Sequence, residues 1–257
     1  MRRRALFLLA PLLLGQAQPG PKPLLVPDVS QRNIEIAYSF TGAELLLFGA
    51  ILYPGGRAPD PQDGPVDIVV VVKGPVQSVL VREKEKVAGI WVNAESMRYR
   101  SAPSFYAIAS SRPIAEVVDE RTRAIFELGV SGLQLSPASS ALPDVQQRFD
   151  HGLVDLRTRG GLYYEAPRAV EITDGVLYRA RLAIPARVPV GRFTAETFLI
   201  RKGRVLAAAV RPIDIRKSGF ERFVAHSADQ YSVAYGLVAV ALSVLFGWAA
   251  GALWRRF

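Results

Sequence analysis

The chain has 257 residues, half of them hydrophobic, with 32 Lys/Arg against 23 Asp/Glu and a formal charge of +9. That much apolar chain supports a packed core and excludes a disordered polymer, and the lack of cysteine excludes disulfides, thiolate catalysis and Cys-based metal sites. Five cations (Arg2, Arg3, Arg4, Arg255 and Arg256) sit at the two ends, leaving 27 against 23 acids over residues 18–229, about +4, too mild for a nucleic-acid footprint.

Residues 1–17 read as a secretory signal. A basic start is followed by ten apolar residues, 5–14, and by the small-x-small ending Gly15-Gln16-Ala17. The apolar stretch is too short to cross a bilayer, which takes roughly 20 residues. Cleavage is expected after Ala17.

From 24 to 108 the signal is strand. Residues 33–40 alternate, with Ile34, Ile36, Tyr38 and Phe40 on one face. Residues 44–52, 66–73, 76–82, 87–92 and 105–110 are further expected strands. Residues 54–65 hold four prolines and three glycines and read as a long loop. Residues 24–135 are therefore expected to form an extracytoplasmic β-sandwich domain.

A helix is expected over 113–128 and a loop over 129–141. A second helix is expected over 143–158, where Leu142, Val145, Phe149, Leu153 and Leu156 recur at helical spacing. Residues 136–160 read as a helical spacer. A second β unit follows over 161–217. Strands at 169–172 and 176–184 flank the hairpin signal Asp174-Gly175, and strands at 193–200 and 205–215 flank Lys202-Gly203. This order suits the last strands of an immunoglobulin-like sandwich. Its 57 residues are few for a complete one, so the unit either stands alone as a partial sandwich or shares strands with the first.

Residues 218–229 read as a juxtamembrane linker. Residues 230–254 carry no charge and are long enough to span a bilayer as a helix. Tyr231 and Tyr235 mark one interface; Trp254, Arg255 and Arg256 mark the other. Lys/Arg counts on the two sides do not decide orientation. The signal does: it exports the body and leaves 255–257 as a cytoplasmic tail. Ala239, Ser243, Gly247 and Gly251 form a stripe of small side chains through which another helix could pack.

Chemistry is thin. His151 and Asp155 are spaced i, i+4 on the second helix and read as a solvated pair, since no third metal ligand is evident. His226 reads as interfacial. Asp60, Asp63 and Asp67 cluster without EF-hand spacing. The run Arg82-Glu83-Lys84-Glu85-Lys86 reads as an exposed turn between strands. Trp91, Arg98, Tyr99, Arg100, Phe105 and Tyr106, with Met97, could form a recognition surface on a loop over 93–106, although Trp91 and Phe105 are expected in the core. No G-x-S-x-G, Walker, dinucleotide or H-E-x-x-H motif occurs, so no catalytic residue, metal or cofactor is assigned.

Several short pieces follow one another along the chain: Arg32-Asn33-Ile34-Glu35-Ile36 with Thr41-Gly42; the Val69-to-Pro75 run ending Lys73-Gly74-Pro75; Gly89-Ile90-Trp91-Val92-Asn93; Gly161-Leu162-Tyr163; Pro189-Val190-Gly191-Arg192-Phe193; Gly219-Phe220-Glu221-Arg222-Phe223; and the Gly-Trp-Ala-Ala-Gly core of the last helix. In that order the chain resembles an uncharacterised alpha-proteobacterial family of single-pass transmembrane proteins with a C-terminal anchor. The resemblance implies no established activity and transfers no catalytic residues. It implies a transport-associated partner, a sulfite-exporter-like permease.

The expectation is a non-enzymatic, membrane-anchored periplasmic accessory or binding protein of the inner membrane. It would contact an integral-membrane partner or a second copy, and no nucleic acid. An envelope hydrolase and an envelope-structural or adhesion module are the alternatives.

Overall fold

Two sheets face each other across one apolar layer in the computed structural model, which describes residues 22–36, 42–56, 64–217, 224 and 227–254. The signal segment 1–17, Arg255 and Arg256, and Tyr38, Phe40, Asp60, Asp63 and His226 lie outside the described residues, as does most of the 218–229 linker. Strand accounts for 49% and helix for 29%, so the chain is mainly β with one apolar C-terminal helix.

The first sheet joins β1 (Leu24–Val29), β3 (Gly42–Leu52), β11 (Leu177–Pro185) and β10 (Val170–Thr173), in that order and all antiparallel. The second runs β2 (Asn33–Ile36), β13 (Arg204–Lys217), β12 (Gly191–Arg201), β4 (Asp67–Lys73), β7 (Tyr106–Ser110) and β9 (Tyr163–Pro167). Its pairs are antiparallel except β2 with β13 and β7 with β9, which are parallel.

Side-chain alternation explains the layer. In β11, Tyr178, Ala180, Leu182 and Ile184 point inward while Leu177, Arg179 and Arg181 stay in water. They meet Ile68, Val70 and Val72 of β4 and Phe193 and Leu199 of β12. The alternate β4 residues, Val69 and Val71, pack on the opposite side against Ile114, Val117, Val118 and Leu128. β4 is thus covered on both faces, which is why it reads as an unbroken valine run.

The strands of 161–217 build no sheet of their own. β10 and β11 complete the first sheet, and β12 and β13 stand between β2 and β4. Strand sharing, one of the two arrangements open from the sequence, is the one found. Both expected hairpins form, with left-handed backbones at Asp174-Gly175 (φ 52° and 65°) and Lys202-Gly203 (φ 49° and 75°).

Four local expectations are corrected. The helix over 113–128 is two, α1 (Ile114–Val117) and α2 (Glu120–Phe126), because Val118 is extended and Asp119 caps the second by accepting from the Thr122 N–H. The 129–141 loop contains a short strand, β8 (Ser136–Pro137). The charge run 82–86 and the segment 93–103 are strand: β5 (Val76–Val87) and β6 (Ile90–Pro103) pair over their length and turn at Ala88-Gly89. Alternating signs suit a strand, because Arg82, Lys84 and Lys86 then fall on one side and Glu83 and Glu85 on the other. Lastly, α3 (Pro143–Arg159) packs along β5 and β6 and does not space two β units.

β5 and β6 extend β4 and β7. The Gly74 N–H donates to Phe105 O at 2.8 Å and the Ser104 N–H to Pro75 O at 3.0 Å, so the ladder runs on without a gap. The hairpin leaves the body as an arm. It leaves at the Lys73 end of β4, which is level with Thr194 of β12 and lies beside the Ile215 end of β13.

Candidate functional site

The arm has two unlike faces. Val79, Val81, Met97 and Tyr99 point to one side, and Phe149 and Leu153 of α3 cover their inner part. There the Tyr99 hydroxyl donates to Asp150 Oδ1 at 2.6 Å. Burial, and then the neighbouring carboxylate, push the Tyr99 phenol well above its ordinary pKa. Further out, Glu83 and Glu95 oppose each other, and Arg148 Nη2 lies 3.2 Å from Glu83 and 2.6 Å from Glu95. One cation from the helix therefore neutralises two of the three acids on that face.

The other face carries Leu80, Arg82, Lys84, Lys86, Trp91, Asn93, Ser96 and Arg98, all exposed. Cross-strand pairing sets Leu80 opposite Arg98, Arg82 opposite Ser96, Lys84 opposite Asn93 and Lys86 opposite Trp91. Directly paired residues share a face, so four cations and an indole line up with no acid among them. None of the four has an ion-pair partner within 4 Å among the described residues. Among the described residues nothing backs the ribbon beyond Arg148, and its tip exposes Val87, Ile90 (69%) and Trp91 (65%).

The turn makes this tip short. Ala88 (φ 49°) and Gly89 (φ 88°) both take left-handed backbones, as a two-residue hairpin connection requires.

The expected recognition residues divide. Trp91, expected in the core, is exposed because the ribbon carries it beyond the body. Arg98 and Arg100 are exposed on the arm, and Arg100 donates to Ala138 O at 2.8 Å. Phe105 is buried as expected. Tyr99, Tyr106 and Met97 are buried too and leave the recognition surface. Tyr106 belongs to the core behind β4, where its hydroxyl donates to Glu127 O at 2.6 Å and accepts from the Gly129 N–H at 2.9 Å. The Arg82, Lys84 and Lys86 stripe was hidden in what reads as a turn; its period-two signs were the available signal.

His151 is exposed beside a cleft of about 880 Å³ between α3 and the segment before it. Its neighbours are engaged elsewhere: Asp155 pairs with Arg159 at 2.9 Å, and Asp150 accepts a hydrogen bond from the Tyr99 hydroxyl. Asp67 is buried in β4 and bound by Arg112 and Ser111. Among the described residues, no group of three or more His, Asp or Glu is placed to hold a metal.

The C-terminal helix, Ser232–Trp254, contains a 20-residue window of mean hydropathy 2.0, none of it buried against the body. At about 1.5 Å per residue it suffices to cross a bilayer. Tyr231 and Tyr235 are exposed at its start; Trp254 ends it. Ala239, Ser243, Gly247 and Gly251 lie along it. Ser243 turns its hydroxyl back to Ala239 O at 2.8 Å, and a Cβ on Gly247 would meet nothing within 4 Å.

No curated protein matches the chain. A model of the family described as "Putative transmembrane protein (Alph_Pro_TM)" matches residues 24–256, from the first strand through the apolar helix. Both the β body with its arm and the membrane helix fall within that match, and the chain belongs to this family.

Proposed function

We propose that this protein is a membrane-anchored accessory or binding protein whose β body stands in the periplasm and whose arm is its recognition element. The observation that carries the reading is the arm: a ribbon extending past the body with an unpaired basic face and an exposed apolar tip. Core packing does not require these side chains, and exposed two-stranded ribbons are marginal in water. A stretch of this kind is kept for contact with something else.

The expected signal and the single apolar helix support an exported body, an inner-membrane anchor and a cytoplasmic C-terminus. The strand orders support an immunoglobulin-like assignment: β1-β3-β11-β10 corresponds to the ABED sheet, and β2-β13-β12-β4-β7 to its GFC partner with edge strands added. The small-residue stripe would pack against a helix of an integral-membrane partner, a sulfite-exporter-like permease by family resemblance, or against a second copy.

The test is affinity purification of the full chain from detergent-solubilised membranes. A reproducible membrane-protein partner or self-association is expected, weakened by Lys84→Glu with Lys86→Glu in the arm or by Gly247→Leu with Gly251→Leu in the helix. Recovery of the chain alone, as a monomer, would overturn the reading.

A further inference from the structure

We infer that the outer arm, Arg82, Lys84, Lys86 and Arg98 with Trp91 at the tip, binds the anionic headgroup layer of the membrane that holds the protein's own anchor. The inference rests on the reading of the arm as a recognition element and names what that element takes.

Three observations point to a lipid surface. The first is charge. All four cations share one face, and of the acids on the other face Glu83 and Glu95 are held by Arg148. A flat row of unpaired cations suits a layer of phosphates, to which each contributes through its charge. The second is the tip. Trp91 stands on the basic face opposite Lys86, at the end where the Val87–Ile90 pair is also exposed, and an indole between apolar and charged neighbours suits the headgroup boundary.

The third is geometry. The arm leaves the body at the end where β13 leaves for the membrane helix: Gly191 of β12 pairs with Ile215, and a Cβ on Gly191 would lie 3.0 Å from Pro75 at the arm's root. Twelve residues of β5 at about 3.3 Å each reach roughly 40 Å. Of the 14 residues between Lys217 and Ser232, 227–230 are helical, so the stretch reaches at most about 40 Å. The anchor therefore holds the body no farther from the bilayer than about the length of the arm.

The experiment uses the whole chain in nanodiscs. The sequence has no cysteine, so Ile90→Cys offers a single site for an environment-sensitive fluorophore at the tip. Asp174→Cys places the same fluorophore on the β10–β11 turn at the opposite end of the sheets. Discs of phosphatidylcholine are compared with discs containing phosphatidylglycerol, both carrying brominated acyl chains as quencher.

The expected result is strong quenching at position 90 in anionic discs, little in neutral discs, and none at 174 in either. Salt should relieve it. Lys84→Glu with Lys86→Glu should weaken the contact by roughly fivefold for each cation removed. Both side chains are exposed, so the unfolding midpoint should stay unchanged and report that the body is intact.

Equal quenching in neutral and anionic discs, or none in either, overturns the inference. If the charge reversal leaves quenching untouched but abolishes co-purification of a membrane protein, the arm's ligand is that protein: the lipid assignment falls and the binding-protein reading stands. If neither changes, both fall.

Discussion

The Tyr99 hydroxyl donates a hydrogen bond to Asp150 Oδ1 at 2.6 Å, and this bond ties a strand of the arm to the helix beneath it. The partners lie 51 positions apart, so the bond closes a long loop as well as satisfying a buried phenol and a half-buried carboxylate. Tyr99→Phe should keep the packing, remove the bond and lower stability by about 1–2 kcal/mol, because Asp150 loses its donor. Asp150→Asn should cost less, since the amide oxygen still accepts. Urea unfolding of the two variants checks the order.

At the tip, Ala88 occupies a left-handed backbone that side chains other than Gly, Asn and Asp avoid. Ala88→Asn should stabilise the turn by about 0.5–1 kcal/mol. The amides around the turn, Lys86 to Trp91, should then exchange with solvent a few-fold more slowly, while those of β4 and β12 do not change. Hydrogen-exchange mass spectrometry resolves the two regions.

Asp67 is buried at the start of β4, where Arg112 grips it with Nε at 2.9 Å and Nη2 at 2.6 Å, and Ser111 adds a third bond at 2.8 Å. The guanidinium is half exposed and the carboxylate is not. Arg112→Ala should therefore destabilise by about 2–3 kcal/mol, mainly by stranding the buried charge. Combined with Asp67→Asn, the loss should be smaller than the sum of the single losses. A double-mutant cycle on unfolding midpoints measures that coupling.

Burial raises the phenols of Tyr163 and Tyr164 to about 12, and those of Tyr99 and Tyr106 higher still. Each is raised above its unfolded value near 10, so the folded state holds its proton more tightly. Their contribution is complete below pH 10 and is lost as pH rises through each folded value, from 10 through 12 for Tyr163 and Tyr164 and over a higher range for Tyr99 and Tyr106. Fully buried Tyr163 alone should give a slope of about 1 kcal/mol per pH unit in that window. Urea midpoints measured between pH 8 and 12 should hold up to about pH 10 and then fall as tyrosinate absorbance rises. A flat profile would contradict the burial of these rings.

Much of the body was legible because its signals are local. β11 alternates, β4 is a valine run, and Asp174-Gly175 and Lys202-Gly203 mark their turns with residues that accept positive φ. The arm was not. Alanine is a poor marker for a left-handed turn, so Ala88-Gly89 gave way to the louder charge run beside it. Tyr99 and Met97 looked exposed because their cover, Phe149 and Leu153, lies some fifty residues downstream. Trp91 looked buried because large apolar residues usually are. β9 carries no legible signal because a five-residue parallel partner leaves no periodic trace longer than a turn.

The strand order also fixes when the body can be completed. β12 begins at Gly191, 118 residues after β4 ends at Lys73, yet it is the strand that covers one edge of β4. During synthesis the valine run waits unpaired on that side until nearly the whole extramembrane length has been made. Contacts so distant along the chain form slowly and leave sticky intermediates in the meantime. A polypeptide halted before Gly191 would expose that run and be a target for holding chaperones and proteases, whereas one halted after Lys217 would already possess every strand.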